Sequence, residues 1–531
     1  MTIEKHARTF TLLTLLSRAF GLLRETVQFA VFGMGPVMDA FSLAFQIPNL
    51  FRRLFGEGAL TASFVPVYTR LERDDPAAAR RFAGLLLSLL TVFLAAITVA
   101  GELVLSVWPA PTPDASLGIR LTAVMLPYMP MVCVVAVIGA MLGVHGRFGP
   151  AAFSPVILNV GMILAAALAW WLPGGGEAAA RSRIGWVAMG VLLAGVAQVA
   201  WMVRGLRGMG LRPSLRLGSE RAALLETLRA GLPMLLGLGV FQLNVLMDSL
   251  IASYPTMVGP TILGVDYPLQ QGSNAVMNAA TRLYEFPLGV FGIAVATVIF
   301  PLLARQADDR HAFVHSLRRG MRLVAFIGVP ASIGLMLVAQ PFTSAVLRGG
   351  AVTAEDAQRV AQVLVAFAPA VAAYSANHLL TRGFYALGDR ATPLRISLSM
   401  VALNLLLNVT LIWTPLNLTG LAWSTTICAF IQLLLLGRAL QSRMGRLADD
   451  AVWRSLAKTL VATAVMALAT FLLDQALPLG QGRWAAVGRT LALAGTGAAA
   501  MFVVARRLHM PEWRWALGMA EAEARAVDPG P

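Results

Sequence analysis

A chain of 531 residues with 57% hydrophobic and only 13% charged side chains carries about half the charge of a soluble globular protein, where about 25% is usual. Its mean hydropathy of +0.71 excludes that class. A net charge of +15 and a pI near 11.0 raise nucleic acid as a partner, which the placement of the arginines argues against below.

Apolar runs of about 18 residues or more, long enough to cross a bilayer as helices, occur fourteen times. In chain order they cover 9–33, 39–67, 82–108, 120–144, 151–172, 184–203, 231–253, 276–304, 321–346, 358–380, 396–414, 418–437, 456–476 and 485–505. The expected fold is therefore an all-α polytopic membrane protein. Lys5 and Arg8 precede the first run, but Arg18 and Arg24 interrupt its apolar core and no small-x-small site follows cleanly. That pattern favours a retained first helix over a cleaved signal peptide.

The first two runs are the most heavily charged. Between Ser17 and Arg70 they carry Arg18, Arg24, Glu25, Asp39, Arg52, Arg53 and Glu57. One charge at the centre of a membrane helix costs roughly 2.5–3.5 kcal/mol on insertion scales. Repeated charges of this kind point to a polar cavity, and their basic excess points to an anionic guest. On an ideal helix Arg18 and Glu25 share a face while Arg24 lies off it, so either Gly21 breaks the helix or two faces are buried. Pro48 is expected to kink the second run. Arg53 and Glu57 stand at i,i+4, where a plain ion pair is as good a reading as a functional one.

Asp248 is a further acid inside the seventh run, suited either to pairing with an arginine or to holding a cation. The eighth run opens Thr281-Arg-Leu-Tyr-Glu-Phe-Pro287. Arg282 and Glu285 share a face there at i,i+3, as an interfacial ion pair or as one side of the cationic cavity.

Basic residues test the topology. With the N-terminus inside, 30 of the 42 Lys and Arg fall in inner segments, 7 in outer segments and 5 within the runs. A miscounted run would scramble this alternation. Fourteen helices with both termini cytoplasmic is the resulting expectation, and it accounts for the basic pI without nucleic acid.

An internal repeat is also present. Pro66 and Pro301 end the second and eighth runs with an arginine four residues on, at Arg70 and Arg305. Pro155 and Pro393 close the turns after the fourth and tenth runs, so the offsets are 235 and 238 residues. Two six-helix lobes around a central site would produce this, as would chance recurrence of proline at helix ends. The expected division is 1–220 for the first lobe, 221–445 for the second and 446–531 for the last two helices and the tail.

No catalytic constellation is found. Lys5 and Lys458 are the two lysines and neither follows glycine, so there is no Walker A loop. HExxH, CxxC and Ser-His-Asp patterns are absent. Cys133 and Cys428 lie far apart in apolar runs, and His311 and His315 have no Cys or acidic partner at ligand spacing. A transporter with no catalytic residue, no metal site and no bound cofactor is expected.

The stretches SRAFGLLRETVQFAVFG and MDAFSLAFQIPNLFRRLFGEGALTASFVPV resemble the opening of the MurJ (MviN) lipid II flippases, within the multidrug/oligosaccharidyl-lipid/polysaccharide exporter superfamily. TRLYEFPLGVFGIAVATVIFP and FYALGDRATPLRISLSMVALNLLLN are similar to later motifs of that family. The resemblance covers essentially the whole chain. It implies translocation of lipid II, the undecaprenyl-diphosphate-linked peptidoglycan precursor, from the cytoplasmic to the periplasmic leaflet by alternating access.

It further implies that Arg18, Arg24, Arg52 and Arg282 bind the diphosphate, and that Asp39, Glu57 and Glu285 are cavity or gating acids; Asp248 joins these acids as a candidate on its place in the seventh run alone. The last two helices would hold the polyprenyl tail. Peptidoglycan and cell-wall biogenesis, the bacterial inner membrane, lipid partners and other membrane proteins of peptidoglycan synthesis follow from the same resemblance. So does energy from a coupling cation or the membrane potential. The sequence departs from the family at Thr281, where Asp is frequent, and in the long segment YPTMVGPTILGVDYPLQQGSNAVMNAATR before the eighth run.

Other readings remain at this point. A flippase for another polyprenyl-linked oligosaccharide, or a cation-coupled exporter of small molecules, would share the architecture, although an exporter of cationic drugs calls for an acid-dominated cavity. A membrane enzyme acting on a polyprenyl phosphate would need paired carboxylates or a metal site.

Overall fold

The computed structural model describes residues 3–56, 58–174, 176–211, 214, 215, 218, 220–289, 293–477, 480 and 482–516. Glu57 lies outside the described residues. Each of the fourteen apolar runs is occupied by helix, and the one sheet among the described residues is a hairpin of two-residue strands.

The first run is α1 (Ile3–Phe32), continuous through Gly21 and stopped at Gly33, whose φ of +73° suits glycine. Pro36 opens α2 (Pro36–Phe51), since a missing N–H costs nothing in the first turn. Beyond Pro48 the chain widens into a π turn, Arg52–Gly56, and resumes as α3 (Ala59–Asp74). The expected kink is thus a full interruption. The Asp75 carboxylate accepts from the Ala77 and Ala78 amides to cap α4 (Pro76–Val107).

The fourth run is a pair, α5 (Pro113–Met125) and α6 (Tyr128–Val144), bent by 41° where Pro127 supplies no amide. There follow α7 (Phe148–Trp171), α8 (Gly176–Gly205) and the long α9 (Arg221–Met257). The hairpin β1 (Thr261–Ile262) and β2 (Val265–Asp266) comes next. The eighth run holds α10 (Ser273–Pro287) and α11 (Ile293–Arg305), with 290–292 between them outside the described residues.

The remaining runs form α12 (Arg310–Leu347), α13 (Ala354–Ala386), α14 (Ala391–Leu411), α15 (Thr419–Met444), α16 (Asp450–Ala476) and α17 (Arg483–Arg507). A short α18 (Glu512–Ala516) follows. Pro66 sits within α3 and Pro301 within α11.

Among the described residues, ten helices are long and apolar enough to cross a membrane, or eleven if the bent pair counts as one span. The helices of the first, second and eighth runs are not among them. The physical reason is local: α1 carries Arg18, Arg24 and Glu25, and the pieces of the other two runs hold 16 residues or fewer. These three runs hold Arg18, Arg24, Arg52, Arg53 and Arg282. The protein is a multi-pass, all-α membrane protein.

Packing divides the chain into two compact units. One comprises the described residues up to Ala275 together with Gly350–Val352; the other comprises Val276–Gly349 and the residues from Thr353 onward. By packing, α9 goes with the first unit, a different criterion from the repeat that set 221 as a lobe boundary. In the first unit Phe64, Tyr68 and Phe82 are fully buried and stack at 5.1 and 5.5 Å. The helices α7 and α8 approach closely at Gly161, Gly190 and Ala194, where a side chain on either glycine would collide.

In the second unit α13 is the central helix, its apolar window 67% buried. Leu317, Leu379, Phe384 and Leu436 form the core between α12, α13 and α15. The α16–α17 pair packs on α12 through Phe326, Met466 and Met501. Glu512 of α18, buried, pairs with Arg322 at 2.7 Å and accepts from the Ser455 hydroxyl at 2.5 Å, which staples the end of the chain to α12 and α16.

Candidate functional site

Arg24 is the best-built intramembrane charge among the described residues. It is buried on α1, and three elements hold its guanidinium. One nitrogen donates to Asn159 Oδ1 on α7 at 3.2 Å, another pairs with Glu25 Oε1 at 2.7 Å, and the group lies over the Phe45 ring of α2 at 5.8 Å. The amide of Asn159, itself buried, donates to the Ser17 carbonyl at 3.3 Å, which fixes the orientation of its oxygen. A planar guanidinium held this way presents its donors in a set direction, the requirement for recognising phosphate bidentately. The choice left by helix geometry is thereby resolved: α1 does not break at Gly21, and Glu25 pairs with Arg24 rather than with Arg18. Arg18 is exposed on α1.

Arg52 opens the π turn and is half-buried; its Nε donates to Asn49 Oδ1 at 2.8 Å. A π turn inserts one residue into the helical ladder and re-aims the side chains that follow. Arg24 and Arg52 both lie within electrostatic reach of Tyr128, whose hydroxyl donates to Gln198 Oε1 at 3.1 Å. The structure therefore brings these two arginines to one region of the first unit. Arg282 belongs to the second unit, where it pairs with Glu285 at 3.2 Å, the expected i,i+3 contact, with 40% and 45% of the two side chains exposed.

Asp39 is completely buried. Its Oδ2 accepts from the Thr256 hydroxyl and from the Gly272 amide, both at 2.7 Å, and its Oδ1 accepts from the Ala275 amide at 2.8 Å. Gly272 and Ala275 lie at the start of α10, whose first amides have no intrahelical partner. The carboxylate thus caps α10 from α2 and ties both to the end of α9. Close approach makes the glycine necessary: Gly272 has φ +85°, and a Cβ there would stand 2.0 Å from the Met34 carbonyl oxygen.

One further contact joins α2 to α9. The Gln46 amide donates to the Val245 carbonyl at 3.0 Å and its oxygen accepts from the Ser249 hydroxyl at 2.6 Å. Asp248 is half-buried on α9, one turn beyond Asn244.

Several polar residues at these contacts bear no charge that marks them in the sequence: Asn159 and Gln46 lie inside apolar runs, and Thr256 three residues past the end of one. In the second unit Asn404, Asn408 and Ser424 are buried together: Asn404 donates to the Ser424 hydroxyl at 3.1 Å, Asn408 donates to Asn404 Oδ1 at 3.1 Å, and Ser424 donates to Asn408. The i,i+4 asparagines in Asn404-Leu-Leu-Leu-Asn408 were the available signal, because a polar pair on one face of an apolar helix needs an internal partner. Among the described residues no group of three or more His, Cys, Asp or Glu side chains converges as a metal site would require.

With this geometry in hand, comparison with known proteins is informative. The family model described as lipid II flippase MurJ matches residues 29–486. A Vibrio cholerae protein named "Probable lipid II flippase MurJ" is 33% identical over 475 residues, covering 86% of each chain. A Rhizobium tropici protein of the same name is 32% identical over 478 residues, covering 88% of this chain and 86% of its own. The fold is similar to a solved structure titled "Lipid II flippase MurJ, inward closed conformation", with a TM-score of 0.77 at 19% identity, covering 96% of this chain and 99% of that one. The intramembrane arginines and the divided helices thus stand in a chain matched over most of its length, and this chain belongs to the lipid II flippase MurJ family.

Proposed function

We infer that this protein is a transporter that moves lipid II, the polyprenyl-diphosphate-linked peptidoglycan precursor, from the cytoplasmic to the periplasmic leaflet of the bacterial inner membrane. Family membership supports the substrate. The observation that carries the mechanism is Arg24, a buried guanidinium whose orientation is set by Asn159 and Glu25. Arg18, Arg24, Arg52 and Arg282 are proposed to bind the diphosphate, while Asp39, Glu57, Glu285 and Asp248 act as cavity or gating acids. Asp39 has the geometry of a gate component in particular, because one carboxylate holds three segments at once.

The topology proposed is fourteen spans with both termini inside, supported by the alternation of basic loops. The proposed lobes are 1–220 and 221–445, with 446–531 supplying the helix pair for the tail. In the cycle the arginines capture the diphosphate from the inner side and the head enters the polar cavity. The cavity then opens outward while the tail stays in lipid. Lipid II itself can bias this step only through a difference in affinity between the two states, since a ligand bound equally to both shifts nothing. No covalent bond changes and no organic cofactor takes part; the membrane potential or a coupling cation supplies the energy. Lipid II and the surrounding lipids are the partners, joined by other membrane proteins of peptidoglycan synthesis.

The test is lipid II sidedness in cells depleted of the protein, read with an external enzyme that cleaves only outer-leaflet lipid II. Depletion abolishes cleavage, and wild type restores it while Arg24→Ala and Arg282→Ala do not. Restoration by Ala variants at all four arginines would refute the cationic site.

A further inference from the structure

The segment between α9 and α10 is built as a hairpin. Thr261 pairs with Asp266 and Ile262 with Val265, leaving Leu263 and Gly264 as a two-residue turn. The base is fixed to α9 by aromatic packing. Tyr254 and Tyr267 stack at 4.4 Å, the Tyr267 hydroxyl donates to the Ile251 carbonyl at 2.9 Å, and the Tyr254 hydroxyl donates to the Thr261 carbonyl at 3.2 Å.

The tip breaks the usual chemistry of such a turn. Both turn residues have positive φ, +50° at Leu263 and +82° at Gly264, a geometry that favours Asn-Gly or Gly-Gly. Leucine is disfavoured there, because its Cβ crowds the backbone. Its side chain also gains nothing from the rest of the protein, since Leu263 is 99% exposed. Val258 and Val265 beside it are about half exposed, and Asp266 is the one charge between Val258 and Tyr267. A strained, aliphatic, internally unpartnered tip makes physical sense when its contact lies outside the chain.

The level of the hairpin identifies that contact. The Thr112 hydroxyl donates to the Thr256 carbonyl at 2.9 Å, so the end of α9 is joined to the turn that follows α4. At that end of α4 Val107 is 82% exposed and Trp108 is 61% exposed, as expected of residues facing acyl chains and the headgroup boundary. The hairpin thus starts beside the exposed apolar end of α4, with an aliphatic tip and with Tyr254 and Tyr267 at its base.

We propose that the Thr261–Asp266 hairpin is an interfacial anchor whose Leu263 tip inserts into the lipid headgroup–acyl boundary, holding the end of α9 at a fixed depth. The leaflet is the outer one under the topology proposed above, on which that detail alone rests.

Depth is measured with a nitroxide on Leu263→Cys in the full-length protein, reconstituted in phosphatidylethanolamine–phosphatidylglycerol nanodiscs. The two native cysteines are buried, and unmutated protein put through the same labelling sets the background. Collision rates with oxygen, which partitions into lipid, are compared with those for a water-soluble nickel chelate. Oxygen dominates at 263 and at a second label on Val265→Cys, whereas the chelate dominates at the exposed control Gln271→Cys. Chelate-dominated collisions at 263 equal to those at 271 would overturn the anchor. Membrane side is read separately: an impermeant maleimide reaches Gln271→Cys from outside intact spheroplasts if the topology is right. Failure of that reaction refutes the leaflet and leaves the depth result standing.

Discussion

Asp39 offers a quantitative test of what a buried acid does in this fold. Its carboxylate receives three hydrogen bonds of 2.7 to 2.8 Å at zero exposure. Hydrogen bonds to a charged group contribute about 1.5–3 kcal/mol each, and a buried donor left unpaired costs about 1–3 kcal/mol. Asp39→Asn keeps one oxygen for two donors and turns an amide toward the third, an expected loss of about 2 kcal/mol. Asp39→Ala strands three donors, on the order of 5 kcal/mol. Thr256→Val removes one of these donors, about 1.5 kcal/mol, the low end for a bond to a charged group.

Thermal melting of the purified variants in one detergent should rank wild type, Thr256→Val, Asp39→Asn and Asp39→Ala in falling order. The Asp39→Asn and Thr256→Val double variant should fall short of additivity because the two share a bond. An Asp39→Ala protein that melts with wild type would refute the clamp.

Gly272→Ala and Gly350→Ala should each lower the yield of folded protein, read by size-exclusion profile. Their added Cβ atoms would meet carbonyl oxygens of Met34 and Ala30 at 2.0 and 2.1 Å, and both glycines have positive φ. Asn159→Ala leaves an Arg24 donor unpaired and should cost about 1–3 kcal/mol in stability, yet weaken lipid II capture at least tenfold, measured as the dissociation constant on the folded protein, because it frees the Arg24 fork; unaltered affinity would count against that orienting role. Glu512→Gln should cost about 3 kcal/mol, the low end for a broken buried pair because Arg322 keeps water contact, and should hasten tryptic cleavage at Arg514.

Outside the membrane, Asp389 is held below its ordinary carboxylate range by hydrogen bonds from the Thr392 side chain and amide and by Arg443. A depressed pKa contributes stability that is present above the unfolded value and lost as pH falls through the folded one. Asp389→Asn should therefore lower the melting temperature at pH 7, with the gap closing as pH falls below the ordinary carboxylate range; a gap that persists in strong acid would assign the effect to packing.

Membership of the membrane-protein class, the fourteen helical runs and the identity of the charged residues were legible in the sequence by itself. Each depends on local quantities: the length of an apolar run, the cost of a charge within it, the sign of the loops on either side. The interruption near Arg52 was half legible, since Pro48 signals a kink but the π turn depends on how the chain is packed. The partners were not legible at all.

That Arg24 meets Asn159, 135 residues away, and that Asp39 caps a helix beginning more than 230 residues later, were decided only by the tertiary structure. Periodicity along one helix says which face a residue occupies but not which other helix comes to meet it. For the same reason Glu512, an unremarkable acid near the end of the chain, proved to be a buried staple. A polar side chain buried inside a bilayer protein is costly without a partner, so the sequence alone marked the charged residues for which a partner matters. The fold chose which partner each receives.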